Sequence, residues 1–145
     1  MFIFEHEKLD VYHVAREFNR EVCRLTKIAG KGNYDHIDQL IRSGASMPRN
    51  IAEGAGEWRP KEKAKFFRYA KRSADECAAT LDTLVDYDML REQDIQHAKE
   101  LLGRIIPMLI RLAKLFEEGR PERKATGTGT GTGTGPETRA RARCT

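Results

Sequence analysis

Four cations stand at helical spacing near the middle of the chain: Lys61, Lys65, Arg68 and Arg72 step by four, three and four residues. At 100° per residue such positions fall within about 60° of one another on a helix. A stripe of this kind can contact phosphate. Arg42, Arg49, Arg59 and Lys71 are the cations able to assist it, and Trp58 and Tyr69 are aromatics able to stack on bases or simply to pack. The charge then reverses. Residues 59–72 hold seven basic side chains and one acidic, whereas 75–100 hold two basic and eight acidic. Asp75, Glu76, Asp82 and Asp86 continue the outward face. That order opposes the helix dipole, which disfavours cations at an N-terminus and anions at a C-terminus by roughly 0.3–1 kcal/mol each. Three readings stay open: phosphate meets the basic half, the acidic half of a neighbouring subunit meets it in a ring, or the helix is a solvated dipole without a partner.

Other chemistry is poorly supplied. The histidines His6, His13, His36 and His97 include no H-E-x-x-H pair, no i, i+4 pair and no Glu-x-x-His motif. Cys23, Cys77 and Cys144 are odd in number and widely spaced, which fits neither a disulfide framework nor a zinc site. Cys23 and Cys77 sit at or beside helical seams and read as small buried apolar residues. Gly54-Ala55-Gly56 lacks the strand–helix context and the lysine of a phosphate loop. The expectation is therefore no catalytic residue, no metal and no cofactor, in a protein that is not an enzyme.

A length of 145 residues implies one domain. The net charge of +4 misleads until divided, because residues 120–145 carry six basic side chains against two acidic, leaving 1–119 neutral. Thr126 to Gly135 is five Thr-Gly repeats, followed by Pro136 and an Arg-Ala alternation from Arg139 to Arg143. Such a segment has no apolar periodicity, so 120–145 is expected to be a disordered tail beyond a folded 1–119. No apolar run is long enough to span a membrane. The chain opens without a basic region and reaches an acid at Glu5, unlike a signal peptide, so a reducing cytoplasm is the expected compartment.

Helices must position the stripe. Val11, Ala15, Phe18, Val22, Leu25 and Ala29 form one apolar seam, and Phe67, Ala70, Ala74, Cys77, Leu81 and Leu84 a second. Ala98, Leu102, Ile105, Leu109, Leu112 and Phe116 form a third, and Ile37, Leu40, Ile41, Gly44, Met47 and Ile51 a weaker fourth. The breaks are expected at Gly30–Asn33, at Gly54–Arg59 with Pro60 opening the third helix, at Leu90–Gln93 with Asp94 as N-cap, and at Gly119. The pattern predicts an all-α, antiparallel, up-down four-helix bundle. Pro48 and Pro107 fall inside helices and should kink them, each with a glycine (Gly44, Gly103) four residues upstream. From Leu101 to Phe116, 11 of 16 residues are apolar, a band wide enough to suggest a homo-oligomer.

The run Gln39-Leu40-Ile41-Arg42-Ser43-Gly44-Ala45-Ser46-Met47-Pro48-Arg49-Asn50-Ile51-Ala52-Glu53-Gly54-Ala55-Gly56 resembles a known signature, approximately Q-L-R-R-A-A-x-S-I-P-x-N-I-A-E-G-x-G-R. It belongs to the four-helix-bundle family encoded in intervening sequences of bacterial 23S ribosomal RNA genes. Glu62, Phe66, Ala70, Ser73 and Glu76 extend the similarity, as does Leu9-Asp10-Val11-Tyr12. The resemblance implies a homopentameric barrel of bundles. It also implies kinship with the accessory variability protein of diversity-generating retroelements, which binds nucleic acid and a partner reverse transcriptase through a basic surface. Ile41 stands where one of two paired arginines is usual, Glu57 where arginine is, Lys63 where an aromatic is, and Arg72 where glycine is. Within the motif, Pro48, Asn50, Glu53, Gly54 and Gly56 read as structural: Asn50 and Glu53 satisfy backbone groups freed by Pro48 or cap the Gly54 turn. The expected function is binding of RNA or DNA through Arg42, Arg49, Arg59, Lys61, Lys65, Arg68, Lys71 and Arg72, as an adaptor for a nucleic-acid enzyme. The alternative is a protein–protein scaffold with no nucleic-acid ligand.

Overall fold

The computed structural model describes residues 3–30, 32 and 34–118. A single 3-10 turn, Glu5–Lys8, leads into four helices: α1 (Asp10–Ala29), α2 (Tyr34–Gly56), α3 (Pro60–Asp86) and α4 (Glu92–Glu117). The described residues contain no strand. Helix α1 packs on α2 and α4, and α3 packs on α2 and α4, while the diagonal pairs do not meet. Links of three to five residues leave each helix antiparallel to the next, which is the up-down bundle. The expected tail at 120–145 and the helix stop at Gly119 lie outside the described residues.

The seams point inward. Val11, Ala15, Phe18, Val22 and Leu25 of α1 are buried, as is the whole α3 stripe from Phe67 to Leu84. Ile41 is the exception in α2, 45% exposed although it falls in the predicted apolar set. The wide apolar band of α4 is mostly absorbed inside the chain. Leu101, Leu102, Ile105, Met108, Leu109, Leu112 and Ala113 are buried, and only Pro107, Ile110 and Leu115 are left exposed. A square bundle offers each helix two neighbours, so a broad stripe can be covered without a second copy.

Three expectations need correction. Gly54, Ala55 and Gly56 do not form a link; they are the last residues of α2, and only Glu57–Arg59 connects it to α3. Asp94 is not the N-cap of α4. The helix begins at Glu92, and the Asp94 carboxylate reaches back to accept the Arg91 backbone N–H at 2.8 Å. That bond holds the Asp94 carboxyl below its ordinary range. Cys23 is exposed rather than buried.

Helix α2 runs unbroken through Pro48, and α4 through Pro107. A proline removes the amide that would have bonded the carbonyl four residues back. For Pro48 that carbonyl is Gly44, which is buried. Asn19 of α1 supplies the missing donor, its Nδ2 giving hydrogen bonds to Gly44 O at 2.8 Å and to Ala15 O at 3.0 Å. The glycine leaves room for this approach, since a Cβ at position 44 would lie 2.8 Å from Asn19 Oδ1 and force the amide to shift. Gly103, the counterpart of Pro107, is exposed, so solvent can serve its carbonyl.

Candidate functional site

Four grooves run between neighbouring helices, and their charge differs. The α2/α3 groove is lined by Asp35, Asp38 and Glu76 together with Arg42. Asp10 and Glu17 face Arg104 and Arg111 across α1/α4. Arg68, Lys71, Arg72 and Lys114 line α3/α4 with Asp75. The α1/α2 groove is an open depression of about 770 Å³ that holds Arg16, Arg20 and Arg49, with no carboxylate among the described residues of its walls.

Lys61, Lys65, Arg68 and Arg72 are all exposed on α3. Part of the stripe is neutralised within the chain. Arg68 grips Glu117 near the end of α4 through two hydrogen bonds, Lys71 pairs with Asp75 at 2.7 Å, and Arg59 pairs with Glu57 at 3.0 Å. Arg59 also lies over the Trp58 ring at 5.9 Å, and Arg72 over Tyr69 at 5.8 Å. Lys61, Lys65 and Arg72 form no ion pair among the described residues. The remaining two cations stand elsewhere: Arg42 in the acidic α2/α3 groove, and Arg49 in the α1/α2 groove. The eight expected contacts therefore spread over three surfaces.

Arg16 and Arg20 were not anticipated. Their i, i+4 spacing on α1 was a usable signal, but Glu17 and Glu21 interrupt it in sequence. In three dimensions those acids turn aside. Glu17 lines the α1/α4 groove, and Glu21 holds Arg24, whose guanidinium reaches the Asp94 carbonyl of α4 at 3.1 Å. Arg20 stands at the rim of both grooves.

The Gln39–Gly56 motif serves the α2–α3 seam. Gln39 Nε2 donates to Glu76 Oε1 at 3.1 Å, Ser73 Oγ meets Ser46 Oγ at 3.0 Å, and Asn50 Nδ2 donates to Ser46 O and Oγ at 3.0 Å each. Asn50 therefore secures its own helix, and the carbonyl freed by Pro48 goes to Asn19 instead. Cys77 lies beneath this ladder, donating to Ser43 Oγ at 3.2 Å, and burial pushes its thiol up to about 11. Gly54 is buried where α2 crosses the phenylalanines of α3, and a Cβ there would sit 2.9 Å from Phe67 Cε1. Gly56 meets nothing within 4 Å, and Glu53 is exposed.

Lys63 crosses from α3 to close the end of α2. Its Nζ donates to Gly54 O at 2.8 Å and Ala55 O at 3.0 Å, and lies 5.3 Å from the centre of the Phe116 ring. Partial burial lowers its pKa from the ordinary lysine value. A cation at a helix C-terminus meets unpaired carbonyls and the negative end of the dipole.

The model of the family described as 23S rRNA-intervening sequence protein matches residues 7–111. The chain belongs to this family. No curated protein matches it. The matched span covers α1, α2, α3 and most of α4. Among the described residues no cluster of three or more His, Cys, Asp or Glu could hold a metal ion, and no helix is long and apolar enough to cross a membrane.

Proposed function

We propose that this 23S rRNA-intervening sequence protein is a non-enzymatic, cytoplasmic adaptor that binds RNA or DNA through phosphate contacts, assembles with copies of itself into a pentamer, and engages a nucleic-acid enzyme. One observation carries the binding reading. After internal ion pairs are subtracted, Lys61, Lys65 and Arg72 remain exposed and unneutralised along α3, in a helix whose charge order its own dipole opposes. Lys61 in the first turn, where the dipole disfavours a cation, with Lys65 and Arg72 unpaired beyond it, points to an external anion.

A second reading draws on the opposite end of the bundle. Asp35 and Asp38 of α2 and Asp82 and Asp86 of α3 belong to the helix halves far from Lys61 and Lys65. Complementary ends suit head-to-tail contacts between copies, in a scaffold that binds no nucleic acid. Light scattering of the full chain with and without bacterial RNA, across a salt series, separates the two. Lys61→Glu, Lys65→Glu and Arg72→Glu together should abolish RNA binding and leave the oligomer intact. An oligomer that falls apart, or RNA binding that persists, refutes the phosphate role of the stripe.

A further inference from the structure

We infer that the α1/α2 groove seats one strand of nucleic acid, with backbone phosphates on Arg16, Arg20 and Arg49 and bases against Tyr12 and Pro48. The inference rests on the nucleic-acid reading above and adds to the α3 stripe a second contact surface for the same ligand. Three observations support it. First, of the four inter-helix grooves this one has cations and, among the described residues, no carboxylate in its walls, so its guanidinium groups keep their hydrogen-bonding capacity. Arg16, Arg20 and Arg49 are exposed and form no ion pair among the described residues. Glu53, one turn beyond Arg49 on α2, is not part of the groove wall.

Second, the arrangement suits a chain of phosphates. Arg16 and Arg20 are one turn apart, an axial rise of about 6 Å, so they can hold successive phosphates. Arg49 faces them from α2. Guanidinium binds phosphate oxygens in a planar, two-toothed way that lysine cannot match.

Third, the floor is apolar and aromatic. Tyr12, Ala45, Pro48 and Ala52 line it. The Tyr12 ring is held edge-on to His6 at 4.5 Å and to His13 at 5.6 Å. Duplex nucleic acid would offer such a floor only its sugar–phosphate backbone. A single strand offers unstacked bases, and a basic groove with an aromatic platform is the general form of single-strand recognition. Pro48 shapes this floor, and Asn19 and Gly44 allow it to do so without an orphaned carbonyl.

The test uses the full chain and a fluorescein-labelled single-stranded RNA of mixed sequence, about 12 nucleotides long. Arg16→Gln, Arg20→Gln and Arg49→Gln together should weaken binding at least tenfold at low salt. The salt dependence, as the slope of log affinity against log salt, should fall by roughly 2, because each single-strand phosphate contact contributes about 0.7. Tyr12→Leu should lower single-strand affinity about fivefold or more and leave a duplex of the same sequence unaffected. Circular dichroism checks that each variant is folded. RNA carrying 4-thiouridine should photocrosslink, in the wild-type chain, to peptides containing Tyr12 or Cys23.

Wild-type affinity in the triple variant, with loss in the α3 charge-reversal variant, overturns the groove and spares the nucleic-acid reading. No RNA binding by the wild-type chain overturns both. Crosslinks confined to α3 overturn the groove whatever the variants do. So does a triple variant that binds RNA normally but changes its oligomer size, which would assign the arginines to a subunit contact.

Discussion

The α1/α2 and α3/α4 seams carry similar sets of cations and use them differently. At α3/α4, Arg68 is bound across the seam to Glu117 and Lys71 is bound to Asp75 within α3, so two charges are consumed by surface pairing. Across α1/α2, the polar contact that holds the helices together is a neutral amide, Asn19, bonded to the Gly44 carbonyl, and the arginines are left over. A seam closed by an amide can present its cations outward. A seam closed by an ion pair has already satisfied the cation that closes it. The number of basic residues on a face therefore says less than the question of what else on that face they meet.

The strongest way to break this comparison is to remove the amide. Asn19→Ala should leave the buried Gly44 carbonyl without a donor and destabilise the chain by about 2 kcal/mol, read by denaturant unfolding. The same change in a Pro48→Ala background should cost far less, because an alanine at 48 restores the N–H that bonds Gly44 within α2. A double-mutant cycle with no coupling between the two positions would show that Asn19 is not compensating for the proline.

Much of this was legible in the sequence, and the rest had identifiable reasons to be hidden. The seams of α1, α3 and α4 follow from period alone because each helix buries a stripe between two neighbours. Helix ends were harder. Gly54-Ala55-Gly56 reads as a break, yet Lys63 from the next helix satisfies the terminal carbonyls and lets α2 run on to Gly56. A cap supplied nine residues later has no local signature. Asn19 was invisible for the same reason, since its partner lies 25 residues away. Cys23 was misjudged because a residue beside a seam can fall on either side of it, and here it faces the α1/α2 groove. The α3 stripe was placed correctly on an exposed face, but Glu117, the acid that neutralises Arg68, sits 49 residues downstream.

A smaller effect separates the two motif glycines. Gly54→Ala forces a methyl against Phe67, and overpacking of about 1–3 kcal/mol outweighs the gain in helix propensity of up to about 1 kcal/mol. The net loss should be about 1 kcal/mol. Gly56→Ala has open space and should be neutral or stabilising by about 0.5 kcal/mol, which thermal melts of the two single variants will compare. Equal losses at both positions would mean that the motif glycines act through something other than the approach of α2 to Phe67.

The smallest effect belongs to the ion pair itself. Arg68 and Glu117 are exposed, and paired surface charges in water gain little over solvated ones. Arg68→Gln should lower the melting temperature at neutral pH only slightly. The pair still has a pH signature of known sign. The side-chain hydrogen bond from Arg68 holds the folded Glu117 carboxyl below its ordinary 4.5. The folded chain thus binds this proton less readily than the unfolded one. Its contribution is fully present above the unfolded value and fades as pH falls below 4.5 through the folded value. Wild type and Arg68→Gln should converge in relative stability on that acid side, and raised salt should remove the difference at any pH. A clear loss of stability at neutral pH in Arg68→Gln would show that the α3/α4 seam depends on its charges, and that the contrast with α1/α2 has been drawn too sharply.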